Sequence, residues 1–203
     1  MQNIINFQLN NSEKIVMSCE ENLDQINCCT EGSLTLIEKN NEILLSNDTI
    51  HESIFVLHGQ LQKALNSDLI LHRSITSDIG CLYNEELQDK PGLVYEKFDE
   101  RDHWVGYNFL LWSSNMATWL YNDYVGNIIL EITPVFPGNF ISFAEDKISY
   151  GRWLQNYKPY LIRKLPKEVA QQWLYQADHL LKKIEENVER EMREYKKKQP
   201  NEN

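Results

Sequence analysis

The stretch TWLYNDYVGNIILEITP, Thr118 to Pro134, constrains the fold more than any other part of this 203-residue chain. It sets aromatic and branched side chains at consecutive positions on both sides of a short polar break, Asn122 to Gly126. Such residues suit strands, and successive strand residues point to opposite faces. Ile128, Leu130 and Ile132 therefore share one face, and Ile129, Glu131 and Thr133 the other, while Trp119 and Tyr121 oppose Thr118 and Leu120. A ribbon with bulk on both faces must be covered on both sides, so it belongs to a core. Trp104 to Trp112 precedes it as a further strand candidate, separated by Ser113-Ser114-Asn115. Short polar breaks join antiparallel neighbours, and the region of about 104–133 reads as a β-meander.

The remaining elements follow from changes of hydrophobic period. Ile5, Phe7 and Leu9 alternate, and Lys14 to Cys19 continues the strand character. Ser33 to Ile37 and Glu42 to Ser46 read as a hairpin around EKNN. From Asp48 the spacing becomes helical: Ile50, Ile54, Leu57, Leu61 and Leu65 form one stripe of a helix at about 48–65. Asp48 serves as its N-cap, with Glu52 three residues after Thr49 in capping-box spacing. Residues 66–103 are the least regular, with a turn at Asp89-Lys90-Pro91-Gly92 and a short strand at Leu93 to Tyr95. After Pro134, Pro137 and Gly138 the rest reads as helical: Ser149 to Tyr157, then Pro166 opening a long helix marked by Val169, Trp173, Ala177, Leu180, Ile184 and Val188. The expected fold is α+β, an antiparallel sheet of N-terminal strands and the meander, packed by the helix at about 48–65 and by C-terminal helices at about 149–190. No repeat or linker interrupts it, so residues 1–189 read as one domain and 190–203 as a charged tail that frays.

Composition bears on compartment and partners. The N-terminus, MQNIINFQLNNSEK, lacks the basic, apolar and cleavage regions of a signal peptide. No apolar run approaches the roughly 20 residues of a membrane span. Cys19, Cys28, Cys29 and Cys81 show no zinc spacing, and the adjacent pair Cys28-Cys29 does not bridge easily to itself, so reduced thiols are expected. A cytoplasmic protein without membrane association is the reading. Residues 1–100 hold 6 Lys/Arg against 17 Asp/Glu, a balance of −11, whereas residues 101–203 hold 14 against 13. So acidic a half repels nucleic acid and suits a basic protein partner.

Three places carry candidate chemistry. Glu131, between Ile129 and Thr133, is the best lone carboxylate; buried, it would hold its proton as a general acid or pair with Arg152 or Arg163. Glu96, Asp99, Glu100, Asp102 and His103 crowd the run EKFDERDHW, but without the glycine and terminal glutamate of a calcium loop, so a solvated acidic loop is expected. His51 and His58 lie seven residues apart, two turns distant on one helix face, too far to chelate together. Residues 147–167 hold six Lys/Arg and no acid, among them Arg152, Lys158, Arg163 and Lys164, interleaved with Trp153 and Tyr157. Such a segment can anchor a partner. Its aromatics can also pack inward while the cations snorkel out, or the patch can meet acidic surface of the same molecule or of a second copy.

No Walker loop, GxGxxG, GxSxG, HExxH or Cys/His protease pattern occurs, and no cofactor or metal is implied. A small, acidic, aromatic-rich chain without catalytic motifs has the general look of proteins that act by binding another protein, such as bacterial toxin-neutralising immunity proteins. The expectation is a non-enzymatic binding module. The alternative is a small-molecule enzyme or anionic-ligand binder with a pocket between the meander and the C-terminal helices, using Glu131 as acid or base and Arg152 and Arg163 as anion clamps.

Overall fold

The computed structural model describes residues 2–39, 41–139 and 149–198. The chain opens with strands β1 (Gln2–Gln8), β2 (Glu13–Cys19), β3 (Glu31–Glu38) and β4 (Asn41–Thr49), then helices α1 (Ile50–Leu65) and α2 (Ile79–Glu86). Strands β5 (Tyr95–Phe98), β6 (Arg101–Trp104), β7 (Leu110–Ser113), β8 (Met116–Asn122) and β9 (Ile128–Pro134) follow. A short helix α3 (Tyr150–Leu154), strand β10 (Leu161–Leu165) and a long helix α4 (Lys167–Lys198) complete it. The ladders between these strands are antiparallel, and the fold is α+β. Among the described residues the strands form two four-stranded sheets and a separate hairpin, β5-β6. By contact the chain forms two compact units, Met1–Leu61 with Glu168–Asn203, and Gln62–Lys167.

In the first unit the order is β1-β2-β3-β4, a meander of neighbours. Glu38 pairs with Asn41, and Lys39 after β3 takes φ 51°, the left-handed conformation that tight hairpins use. The stripe Ile50, Ile54, Leu57 and Leu61 of α1 is fully buried. The α1 cap falls on Thr49 rather than Asp48: Thr49 Oγ1 accepts the Glu52 amide at 3.4 Å, while the Asp48 carboxylate accepts the Thr49 amide at 2.7 Å. In α4, Trp173, Ala177, Leu180 and Ile184 are buried, and the stripe continues through Asn187 rather than Val188. The reason is polar: Asn187 Nδ2 donates to the carbonyls of Ile26 (2.7 Å) and Leu23 (3.2 Å), holding the β2–β3 loop. Trp173 packs on Phe7 of β1 at 5.4 Å between ring centroids and donates to the Gln8 carbonyl at 2.9 Å. Helix α4 continues through 190–198, the start of the stretch expected to fray, with the side chains of 190–197 exposed.

The second unit holds the opening ribbon in a sheet of order β10-β9-β8-β7. Both faces are buried as expected: Leu120, Leu130 and Ile132 on one, Trp119, Glu131 and Thr133 on the other. Three expectations change. Trp104 to Trp112 is not one strand, because a 3-10 turn at Val105–Phe109 breaks it. A Cβ at Gly106 would lie 2.2 Å from the Trp104 ring, so the indole folds back over the glycine and the chain bends beneath it. The region after Gly138 is not wholly helical, since Leu161–Leu165 is β10 and pairs with Ile128–Ile132. Pro159 and Pro166 bracket a segment too short for a stable helix, and an unpaired edge of β9 accepts it. Residues 66–103 contain α2, whose N-cap Asp78 accepts the Cys81 amide at 3.0 Å, and the β5-β6 hairpin, which begins at Tyr95, the last residue of the short strand expected there.

Candidate functional site

Glu131 lies in the middle of β9, flanked by β8 and β10, and is 2% exposed. Its Oε2 accepts the Tyr121 hydroxyl at 2.8 Å, while Oε1 is buried without a hydrogen bond of normal geometry. Helix α2 brings a second carboxylate to it. Gly80 makes that approach possible, since a Cβ there would sit 2.3 Å from Thr133 Oγ1. Asp78, just ahead of the helix, accepts the Tyr157 hydroxyl at 2.8 Å. Burial, and then the negative charge of Asp78, push the Glu131 carboxyl up to about 8, against a weaker opposing pull from the Tyr121 hydrogen bond. Burial also pushes Tyr121 and Tyr157 well above the ordinary phenol range, with Glu131 and Asp78 adding to the effect. The result is a buried carboxyl beside a second carboxylate and two phenol hydroxyls, with Glu131 keeping its proton at neutral pH. A carboxylic acid that keeps its proton there is equipped as a general acid.

The arginine pair expected for Glu131 does not form. On the neighbouring strand Ile162 stands opposite Glu131, and Arg163 pairs with Leu130. That one-residue offset sends the Arg163 side chain to the other face. Arg152 is on α3 and exposed. The aromatic residues of its segment, Tyr150, Trp153 and Tyr157, pack edge-on or tilted in series with Phe136, with ring centroids 5.2–5.5 Å apart for Phe136–Tyr150, Phe136–Trp153 and Trp153–Tyr157. Arg152, Lys158, Arg163 and Lys164 remain at the surface. Lys147, the first cation of the segment, lies outside the described residues.

The acidic run EKFDERDHW forms the β5-β6 hairpin, with Asp99 and Glu100 at its turn (φ 47° and 66°). Glu96 stands opposite His103, and Lys97 pairs with Asp102 at 2.7 Å. His72 approaches Glu96 at 3.9 Å. Among the described residues no group of three His, Cys, Asp or Glu side chains is placed to hold a metal ion.

A cleft not expected from the sequence opens in the first unit. It encloses about 660 Å³ where the ends of β2 and β4 and the start of β3 meet the β2–β3 loop. Glu20, Glu21, Glu31 and Asp48 line it together with Cys19 and Cys29, and no lysine or arginine is among its walls. The four acids are exposed. They are scattered in sequence and meet only because the strands run antiparallel; the excess of acid over base in residues 1–61, 9 against 2, was the available signal. Asp78 was likewise missed, though an aspartate before Ile79 and an apolar turn is a helix-start pattern. The chain matches no protein-family model, no curated protein and no solved structure.

Proposed function

We propose that this chain is a non-enzymatic binding protein that engages a basic protein through the acidic surface of its N-terminal unit, in the manner of immunity proteins and inhibitors. The observation that carries this reading is the 660 Å³ cleft walled by Glu20, Glu21, Glu31 and Asp48 without a compensating cation. Four like charges on one concave wall raise the local concentration of a cationic surface, and they repel nucleic acid. Free thiols at Cys19, Cys28, Cys29 and Cys81 support a reducing, cytoplasmic setting. None of the described helices is long and apolar enough to cross a membrane.

The test is capture from the source cell with the wild type beside a variant carrying Glu20→Gln, Glu21→Gln, Glu31→Gln and Asp48→Asn. These exposed positions tolerate the isosteric change, so the fold is retained. The expected outcome is a basic protein held by the wild type, released by salt and missed by the variant. Equal recoveries by both, or acidic partners only, would reject the reading.

A second reading, a small-molecule enzyme or anionic-ligand binder, is favoured by one arrangement, the buried Glu131 carboxyl held by the Tyr121 hydroxyl near Asp78. Here Glu131 would act as the acid. The two readings separate cleanly: Glu131→Gln abolishes a turnover that depends on this acid and leaves capture through the acidic residues of the first unit untouched.

A further inference from the structure

The thiols of Cys28 and Cys29 carry no charge argument in either reading, although Cys29 also lines the acidic cleft. They sit side by side on the turn between Asn27 and Thr30, both exposed, with their Sγ atoms 3.8 Å apart. The turn is built to hold them. The Asn27 side chain accepts the Cys29 amide at 2.9 Å, Thr30 Oγ1 accepts the Asn27 amide at 3.0 Å, and the Thr30 amide returns to the Asn27 carbonyl at 3.2 Å. Either end is anchored: Ile26 is buried beneath the Asn187 contact, and the Thr30 carbonyl accepts the Ile50 amide at 2.9 Å.

The separation decides which chemistry the pair suits. A disulfide needs sulfurs at about 2.05 Å and Cα atoms at least about 4.4 Å apart, while neighbours across a trans peptide are held at about 3.8 Å. Closing the pair on itself therefore strains the turn. Two thiolates bonded to one centre at about 2.3 Å, at an angle between the roughly 90° of pyramidal arsenic(III) and the tetrahedral value, stand about 3.3–3.8 Å apart, which the pair at 3.8 Å reaches by a small side-chain rotation. With no third protein ligand placed beside them among the described residues, a centre that takes only two sulfurs from the protein fits best.

We propose that Cys28 and Cys29 form a two-sulfur binding site for thiophilic trivalent species of the organoarsenical class. An arsenic(III) oxide bearing one organic group takes up water to become R–As(OH)2; two As–S bonds then form and two As–O bonds break, each hydroxyl leaving as water with the proton of one thiol. No atom changes oxidation state. The Cys29 thiol is pushed up by its hydrogen bond to Cys28 and by that neighbour's charge, so its proton is still in place to leave with oxygen at neutral pH. The thiols alone carry this site; it adjoins the acidic cleft through Cys29 but uses none of its carboxylates.

Phenylarsine oxide is the probe, read by intact mass of the full chain. One phenylarsenic adduct per chain is expected, surviving a monothiol and removed by 1,2-ethanedithiol. Cys28→Ser and Cys29→Ser should each lose the monothiol-resistant adduct, and Cys81→Ser should keep it. An adduct that persists in either turn variant, or a wild type whose adduct a monothiol strips, would overturn the site. Both cysteines are exposed, so the serine variants fold and the comparison stays readable.

Discussion

At Glu131, burial and a neighbouring carboxylate act in the same direction, and the consequence for stability has a definite sign. The folded state holds this proton up to about 8, against an ordinary value of 4.5. Below the ordinary value both folded and unfolded chains are protonated and the contribution is fully present. As pH rises through the window the unfolded chain ionises first, and stability falls by up to about 1.4 kcal/mol per pH unit until the folded group ionises too. Glu131→Gln should remove this slope. Urea unfolding between pH 5 and 9 checks it: the variant should gain on the wild type as pH rises, whereas parallel curves would show that Glu131 does not titrate as described. Trp119, fully buried opposite Glu131, gives a second measure at this scale. Its indole donates to Thr133 Oγ1 at 3.1 Å and meets Tyr83 edge-on at 5.1 Å. Trp119→Ala should cost about 3–5 kcal/mol, out of the roughly 5–15 kcal/mol that holds a domain folded; thermal and urea unfolding would show it.

Helices and strands differ in how far their own residues announce them. The α1 stripe was legible because Ile50, Ile54, Leu57 and Leu61 repeat at helical spacing, and all four are buried. The double-faced ribbon was legible because alternation in β8 and β9 leaves no polar face. Strand β10 was not, since only Leu161 and Leu165 of its five residues turn inward and the strand exists through pairing with β9. The Glu131 environment was half legible. A carboxylate among apolar neighbours could be recognised, but its approach to Asp78 depends on Gly80 seating α2 against Thr133, a contact between distant segments. Helix α4 separates buried from exposed length. Trp173→Ala, which empties a site against Phe7, should destabilise about as strongly as Trp119→Ala, within about 3–5 kcal/mol. Ending the chain after Glu189 removes exposed side chains and surface contacts such as Arg190–Asp24, Asn27–Glu191 and Arg193–Glu189, and should move the melting temperature little. A truncation as damaging as Trp173→Ala would mean the last turns of α4 carry core contacts.

Across the whole molecule, sequence continuity and charge point in different directions. The chain enters the first unit, passes through the whole second unit and returns to the first at Glu168, while α1 runs unbroken across the Leu61–Gln62 boundary. If residues 1–189 form one cooperative domain, they unfold in one calorimetric transition; two resolved transitions would count against it. Charge is unevenly held: residues 1–61 carry 9 Asp/Glu against 2 Lys/Arg, while residues 147–167 carry six cations and no acid. The proposed activity draws on the first of these surfaces. Its most direct test is the association rate of the captured basic partner, followed by stopped flow or surface binding as salt rises from 20 to 500 mM, roughly spanning Debye lengths above and below 10 Å. The account expects an on-rate that falls at least about tenfold over this range for the wild type, and a slower, nearly salt-independent on-rate for the variant neutralised at Glu20, Glu21, Glu31 and Asp48. An on-rate that is the same in both proteins and indifferent to salt would contradict it.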